Sequence, residues 1–145
     1  MSTPSAAPAL VSSTAIRAFA ALTGLTSLGI FAQAVTAGEF VSQEHRGGWI
    51  AAHNVIAMIT VLLALVTAIF ALVAVRRARA GLAWSAVALL VLLVAQTGIG
   101  SAITEAHADG LIGVHVPLAF IVFGLTAWLS MKAAQLRRSQ ERAAA

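Results

Sequence analysis

A chain of 145 residues that is 60% hydrophobic and only 10% charged carries too much apolar surface for a water-soluble domain of this size, which leaves a membrane protein as the expected class. Cysteine is absent, which excludes disulfides, thiolate metal sites, thioester chemistry and covalent cofactor attachment through Cys-x-x-Cys-His. The formal charge of +4 does not point to nucleic acid, because the basic residues gather at the ends of apolar runs, where they orient membrane helices.

Residues 1–13 are rich in Ser, Thr, Pro and Ala without periodicity and are expected to form a flexible tail. Four apolar runs follow, at 16–37, 49–75, 82–103 and 111–131. Each has about 20 or more residues, enough to cross a hydrocarbon core. Lipid offers no partner to backbone N–H and C=O groups, so each run is predicted to be helical. A four-helix domain over 14–136 and a cytoplasmic tail over 137–145 complete the expected organisation.

Eight of the nine Lys and Arg residues lie at the N-terminal end of the first run (Arg17), between the second and third (Arg76, Arg77, Arg79) or after the fourth (Lys132, Arg137, Arg138, Arg142). The positive-inside rule therefore puts both termini and the middle loop in the cytoplasm of a multi-pass plasma-membrane protein. Four of the five acids, Glu39, Glu44, Glu105 and Asp109, fall in the other loops, together with Arg46. The first run could pass for a cleavable signal peptide. An internal repeat argues that it stays. Ala32-Gln33, Gly38, His45 and His53 are echoed by Ala95-Gln96, Gly100, His107 and His115. The expected fold is accordingly all-α, an integral membrane four-helix bundle of two similar hairpins in parallel repeat.

Each histidine pair, His45/His53 and His107/His115, is eight residues apart. Eight helical residues advance about 12 Å and return to within about 80° of the same face, so each pair lies along one side of a helix. By symmetry His53 and His115 sit at equal depth on the second and fourth helices, about one turn inside the outer boundary. Ionisable groups kept inside a span mark function unless they are merely paired with a neighbouring helix, which is the competing reading. Two neutral imidazoles on opposite helices suit bis-His ligation of haem, the low-spin arrangement used for electron transfer. Ala51, Ala52, Ala57, Gly113 and Ala119 are small enough to make room for a flat macrocycle.

His45 and His107 lie at the water boundary beside Glu44, Arg46, Glu105 and Asp109. They are candidates for a second haem, for a copper or zinc site completed by Glu44 or Glu105, for support of the first haem, or for no site at all. Arg46 is a candidate partner for haem propionates or an interfacial anchor. Gln33 and Gln96, near the outer ends of the first and third helices, are candidates for hydrogen bonds to a ligated histidine, to a propionate or between helices. Trp49, Trp84 and Trp128 fit an aromatic belt, and Gly24, Gly29, Gly98 and Gly100 fit close-packing sites.

His45-Arg46, Gln96-Thr97-Gly98, His115-x-x-Leu118-Ala119 and Phe123-Gly124-Leu125 resemble motifs in one four-helix half of the haem A synthase family. The resemblance implies a bundle that holds haem between histidines of its second and fourth helices. It also implies His45 as the ligand opposite His115, where the repeat selects His53. The chain departs from the family in having one bundle, no cysteine pair and a glutamate, Glu44, directly before His45 rather than further upstream. Haem binding carries over from the resemblance, and the family's oxidation chemistry does not.

The sequence therefore leads to a b-type haem on His53 and His115, with a second on His45 and His107 as the next candidate. Filled axial positions leave no open site for oxygen chemistry, so electron transfer or haem handling near the outer face is expected rather than an enzyme. A redox partner and a second copy of the chain are the candidate partners beyond the bilayer. The rivals are a copper- or zinc-binding membrane protein and a cofactor-free structural subunit of a larger complex.

Overall fold

A computed structural model describes residues 11–143, which form four long helices. The expected tail over 1–13 lies almost wholly outside these residues. Helix α1 (Ser13–Ser42) starts where the Ser12 hydroxyl accepts the Ala15 N–H at 3.1 Å, capping one of the orphan donors of the first turn. Helix α2 (Gly47–Phe70) ends in a π-helical turn over Ala71–Val75, where the Arg76 N–H reaches the Ala71 carbonyl. Helix α3 (Ala80–Glu105) and, after a 3₁₀ turn at Asp109–Leu111, helix α4 (Ile112–Ala143) complete the chain. All four are long and apolar enough to cross a membrane.

The stretch 137–143, expected as a tail, continues α4 as helix. Two side-chain contacts accompany it: Arg137 and Glu141 pair at 3.6 Å one turn apart, and the Gln140 side chain donates to the Val11 carbonyl at 2.8 Å.

The helices stand in a ring in which α1 and α3 each pack against α2 and α4, leaving α1/α3 and α2/α4 as the diagonals. The reason is legible in the burial pattern. Buried positions recur at steps of three and four: Ile16, Phe19, Thr23, Thr26, Ile30 on α1; Thr60, Ala64, Thr67, Ala71 on α2; Leu82, Ala86, Leu89, Leu93 on α3; Val122, Thr126, Leu129, Ala133 on α4. A seam with that spacing brings helices together at about 20°, as in left-handed bundles.

The interior is small and partly polar, whereas Leu28, Val73 and Phe120 point outward at 63%, 78% and 74% exposure. In water that distribution would be costly; in lipid it is the natural one, because apolar side chains gain nothing by leaving hydrocarbon and helix contacts depend on close packing and hydrogen bonds. Each of the six buried threonines, 23, 26, 36, 60, 67 and 126, has its hydroxyl within hydrogen-bond distance of a carbonyl one turn back. Thr26 also meets Thr67 at 3.3 Å, and Ser27 meets Ser130 at 2.8 Å, tying α1 to α2 and α4.

Two of the four glycines expected at close contacts are there. A β-carbon on Gly29 would run into the Thr60 hydroxyl, and one on Gly100 would come within 3.2 Å of the His115 ring; Gly24 and Gly98 face open space. Gly29→Ala is therefore expected to lower stability by about 1–3 kcal/mol through overpacking of α1 on α2, whereas Gly24→Ala is expected to be neutral or mildly stabilising; thermal unfolding in detergent separates the two.

Candidate functional site

The seam continues past the packed layer, and its residue types change. On α1, Ile30 is followed by Gln33 and Ala37; on α3, Leu93 by Gln96 and Gly100; on α2 and α4, read backwards from Thr60 and Val122, come Ala57 then His53 and Ala119 then His115. All twelve of these residues line one cavity of about 780 Å³. Ile30, Thr60, Leu93 and Val122 form its floor; above them two glutamines alternate with two alanines, and above those two histidines alternate with Ala37 and Gly100. Large and polar groups face small ones around the ring, so the layer cannot fill itself, and the cavity is the consequence.

His53 and His115 come from the two diagonal helices and lie on the wall of this shared space. Each is fastened by the glutamine of the preceding helix. Gln33 Nε2 donates to the His53 carbonyl at 2.6 Å, and Gln96 Nε2 donates to the His115 carbonyl at 2.9 Å. The glutamines thus act on the backbone of the histidines, not on their rings.

The rings differ in their support. Thr36 Oγ1 lies 3.0 Å from His53 Nδ1 and also 3.0 Å from the Ala32 carbonyl. A hydroxyl has one proton; with that proton given to the carbonyl, the threonine accepts from the imidazole, which is the tautomer assigned here. That places the ring proton on Nδ1 and leaves the lone pair on Nε2. Phe40 closes against the same ring edge-on, at 5.3 Å between centroids. His115 has no such hydroxyl. The residue three places after Gln96 is Ile99, and His115 Nδ1 is buried without a hydrogen-bond partner, as is Gln96 Oε1. Gly100 is what lets this ring lie close against α3. Neither Nε2 atom makes a hydrogen bond among the described residues.

His45 and His107 are not part of this arrangement. Both are exposed, neither lines the cavity, and no group of three His, Cys, Asp or Glu able to hold a metal ion occurs among the described residues. The copper or zinc site sketched from His45, His107, Glu44 and Glu105 is therefore not assembled as a cluster. His107 has a backbone role. Its φ of 54° is left-handed, and past it the Ala108 N–H turns back to the Ala102 carbonyl, which ends α3. Because that conformation costs about 1–2 kcal/mol in a residue with a β-carbon, and glycine gives part of it back as chain entropy, His107→Gly is expected to raise stability by up to about 1 kcal/mol without changing the cavity. A melting temperature that falls would contradict this assignment.

Arg46 is exposed at the start of α2, its Nε donating to the Gln43 carbonyl at 3.3 Å, and it does not line the cavity. Glu105, the last residue of α3, does. Of the small residues expected near the site, Ala57 and Ala119 are on the wall, and Ala51, Ala52 and Gly113 are not. Thr36 and Phe40 were not singled out by the sequence, although Thr36 lies one helical turn beyond Gln33 and so shares its face. Compared with known proteins, the chain matches no family model, no curated protein and no solved structure.

Proposed function

We propose that the chain is an integral membrane haem protein that holds one b-type haem between His53 and His115, for electron transfer or haem handling near the outer face of the membrane. One observation carries the reading: two histidines on diagonal helices, each fixed through its carbonyl by a glutamine, border one cavity with both Nε2 atoms unengaged. About 780 Å³ lies within the range of small-molecule and cofactor sites, roughly 300–1,000 Å³. The donor set suits iron better than a structural metal ion, since the two imidazoles and the one carboxylate on the wall, Glu105, do not form a cluster of three ligands, let alone the four of a structural site. The short motifs resembling half of the haem A synthase family agree with haem, and the position of His53 on the cavity wall favours it over His45 as the ligand.

A haem supplies a one-electron couple when bound. The protein's part is to present Nε2 of His53 through the Thr36 bond, to seat the His115 ring against Gly100, and to exclude water below with the Ile30, Thr60, Leu93 and Val122 floor. With both imidazoles committed, a carrier or electron-transfer role is favoured over catalysis. The two glutamine-to-carbonyl bonds are related as the two hairpins of a parallel repeat require, and the distribution of Lys and Arg directs both termini to the cytoplasm.

The visible spectrum of detergent-purified protein, oxidised and then reduced with dithionite, tests this directly. A sharp Soret band, resolved reduced α and β bands and a pyridine hemochrome count of one per chain are expected. Colourless protein from cells able to supply haem would dismiss the proposal.

A further inference from the structure

The opposite end of the bundle holds a second recess, of about 450 Å³, between the start of α3 and the last turns of α4. Its chemistry is split. Leu82, Leu136 and Trp128 give it an apolar side, and Arg79 and Lys132 bring two cations to it. Among the described residues the one ion pair is Arg137 with Glu141, so neither Arg79 nor Lys132 is neutralised by a carboxylate. Gln135 and Ser139 add neutral hydrogen-bonding groups to the same wall.

Two further features favour an anion here. Arg79 precedes α3 without capping it through its side chain, and the N–H groups of Ala80 and Gly81 find no carbonyl, so the positive end of a 26-residue helix opens beside the recess, with Gly81 on its wall. The whole end of the molecule is cationic as well: Arg17, Arg76, Arg77, Arg79, Lys132, Arg137, Arg138 and Arg142 face a single acid, Glu141. A surface of that sign is drawn to an anionic membrane leaflet.

We infer that this recess is a binding site for one anionic glycerophospholipid, whose phosphodiester is held by Arg79 and Lys132 and whose glycerol and upper acyl chain lie on Leu82, Leu136 and Trp128. A free phosphate would use the cations and waste the apolar side; a zwitterionic lipid would bring its own cation against them. The inference stands on the apolar helices and the basic recess, and is independent of the haem reading.

Native mass spectrometry of the full chain, released from nanodiscs of equal parts phosphatidylglycerol and phosphatidylcholine, tests it. One phosphatidylglycerol per chain is expected to be retained, with a preference of about tenfold or more. Arg79→Gln with Lys132→Gln should abolish the preference, while Arg77→Gln with Arg138→Gln, which removes the same charge from residues outside the recess, should preserve it. Should the first pair fail to fold, as read by circular dichroism, Lys132→Gln alone replaces it and should reduce the preference. Equal retention of both lipids by the unaltered chain, an equal loss in the control pair, or displacement of phosphatidylglycerol by millimolar inorganic phosphate would each overturn the site.

Discussion

His53→Ala and His115→Ala are each expected to abolish the low-spin haem spectrum and bring the hemochrome count from one per chain to near zero. Removing either imidazole leaves a single histidine on one side of the cavity, where bis-His ligation needs one on each. His45→Ala and His107→Ala remove exposed side chains away from the cavity and are expected to leave spectrum and count unchanged. The contrast also decides between the two ligand assignments for α2. Loss of haem in His45→Ala with retention in His53→Ala would move the α2 ligand to His45, as the resemblance to the haem A synthase family implies.

Thr36→Val is expected to weaken haem retention by about 10–100-fold, the usual cost of losing a hydrogen bond that orients a ligating histidine. Valine keeps the branched shape and the buried packing, and the helix loses no backbone bond, since the threonine hydroxyl only supplemented the Ala32 carbonyl. What disappears is the acceptor for His53 Nδ1–H. His53 would then resemble His115, with a buried and unpartnered Nδ1. Thr36→Ser restores the hydroxyl and should restore retention. Competition for haem by apomyoglobin, followed by absorbance, measures the difference, and a circular dichroism melt in the absence of haem confirms that the fold is unaffected. Equal haem loss rates in the unaltered and valine proteins would show that the Thr36 contact does not orient the ring.

Several features of the site were legible in the sequence because they are written in residue types that a membrane rarely tolerates. Histidines and glutamines inside apolar runs stand out against leucine and alanine, and their repetition about sixty residues later pairs His53 with His115 and Gln33 with Gln96. The same signal did not distinguish the histidines that line the cavity from those that do not. His45 and His107 repeat as regularly, yet one lies in the exposed loop before α2 and the other turns the chain out of α3. Thr36 went unnoticed because threonine is ordinary in these helices. Its sister position holds Ile99, so the repeat that exposed the glutamines concealed it.

What the sequence by itself determined is the number of helices and, the end of α4 apart, where they start and stop to within about five residues, because apolar length and flanking charge are local properties that add along the chain. It could not say which side of each helix faces inward. These helices are apolar around their circumference, so no polar stripe marks a solvent face and no apolar stripe marks a core. Only the assembled ring decides that Gly29 and Gly100 meet neighbours while Gly24 and Gly98 do not, and that the last turns of α4 find the Val11 carbonyl through Gln140. The cavity belongs to the same class. It arises where the small residues of two helices fall opposite the histidines of the other two, a relation between four separate segments that no one of them contains.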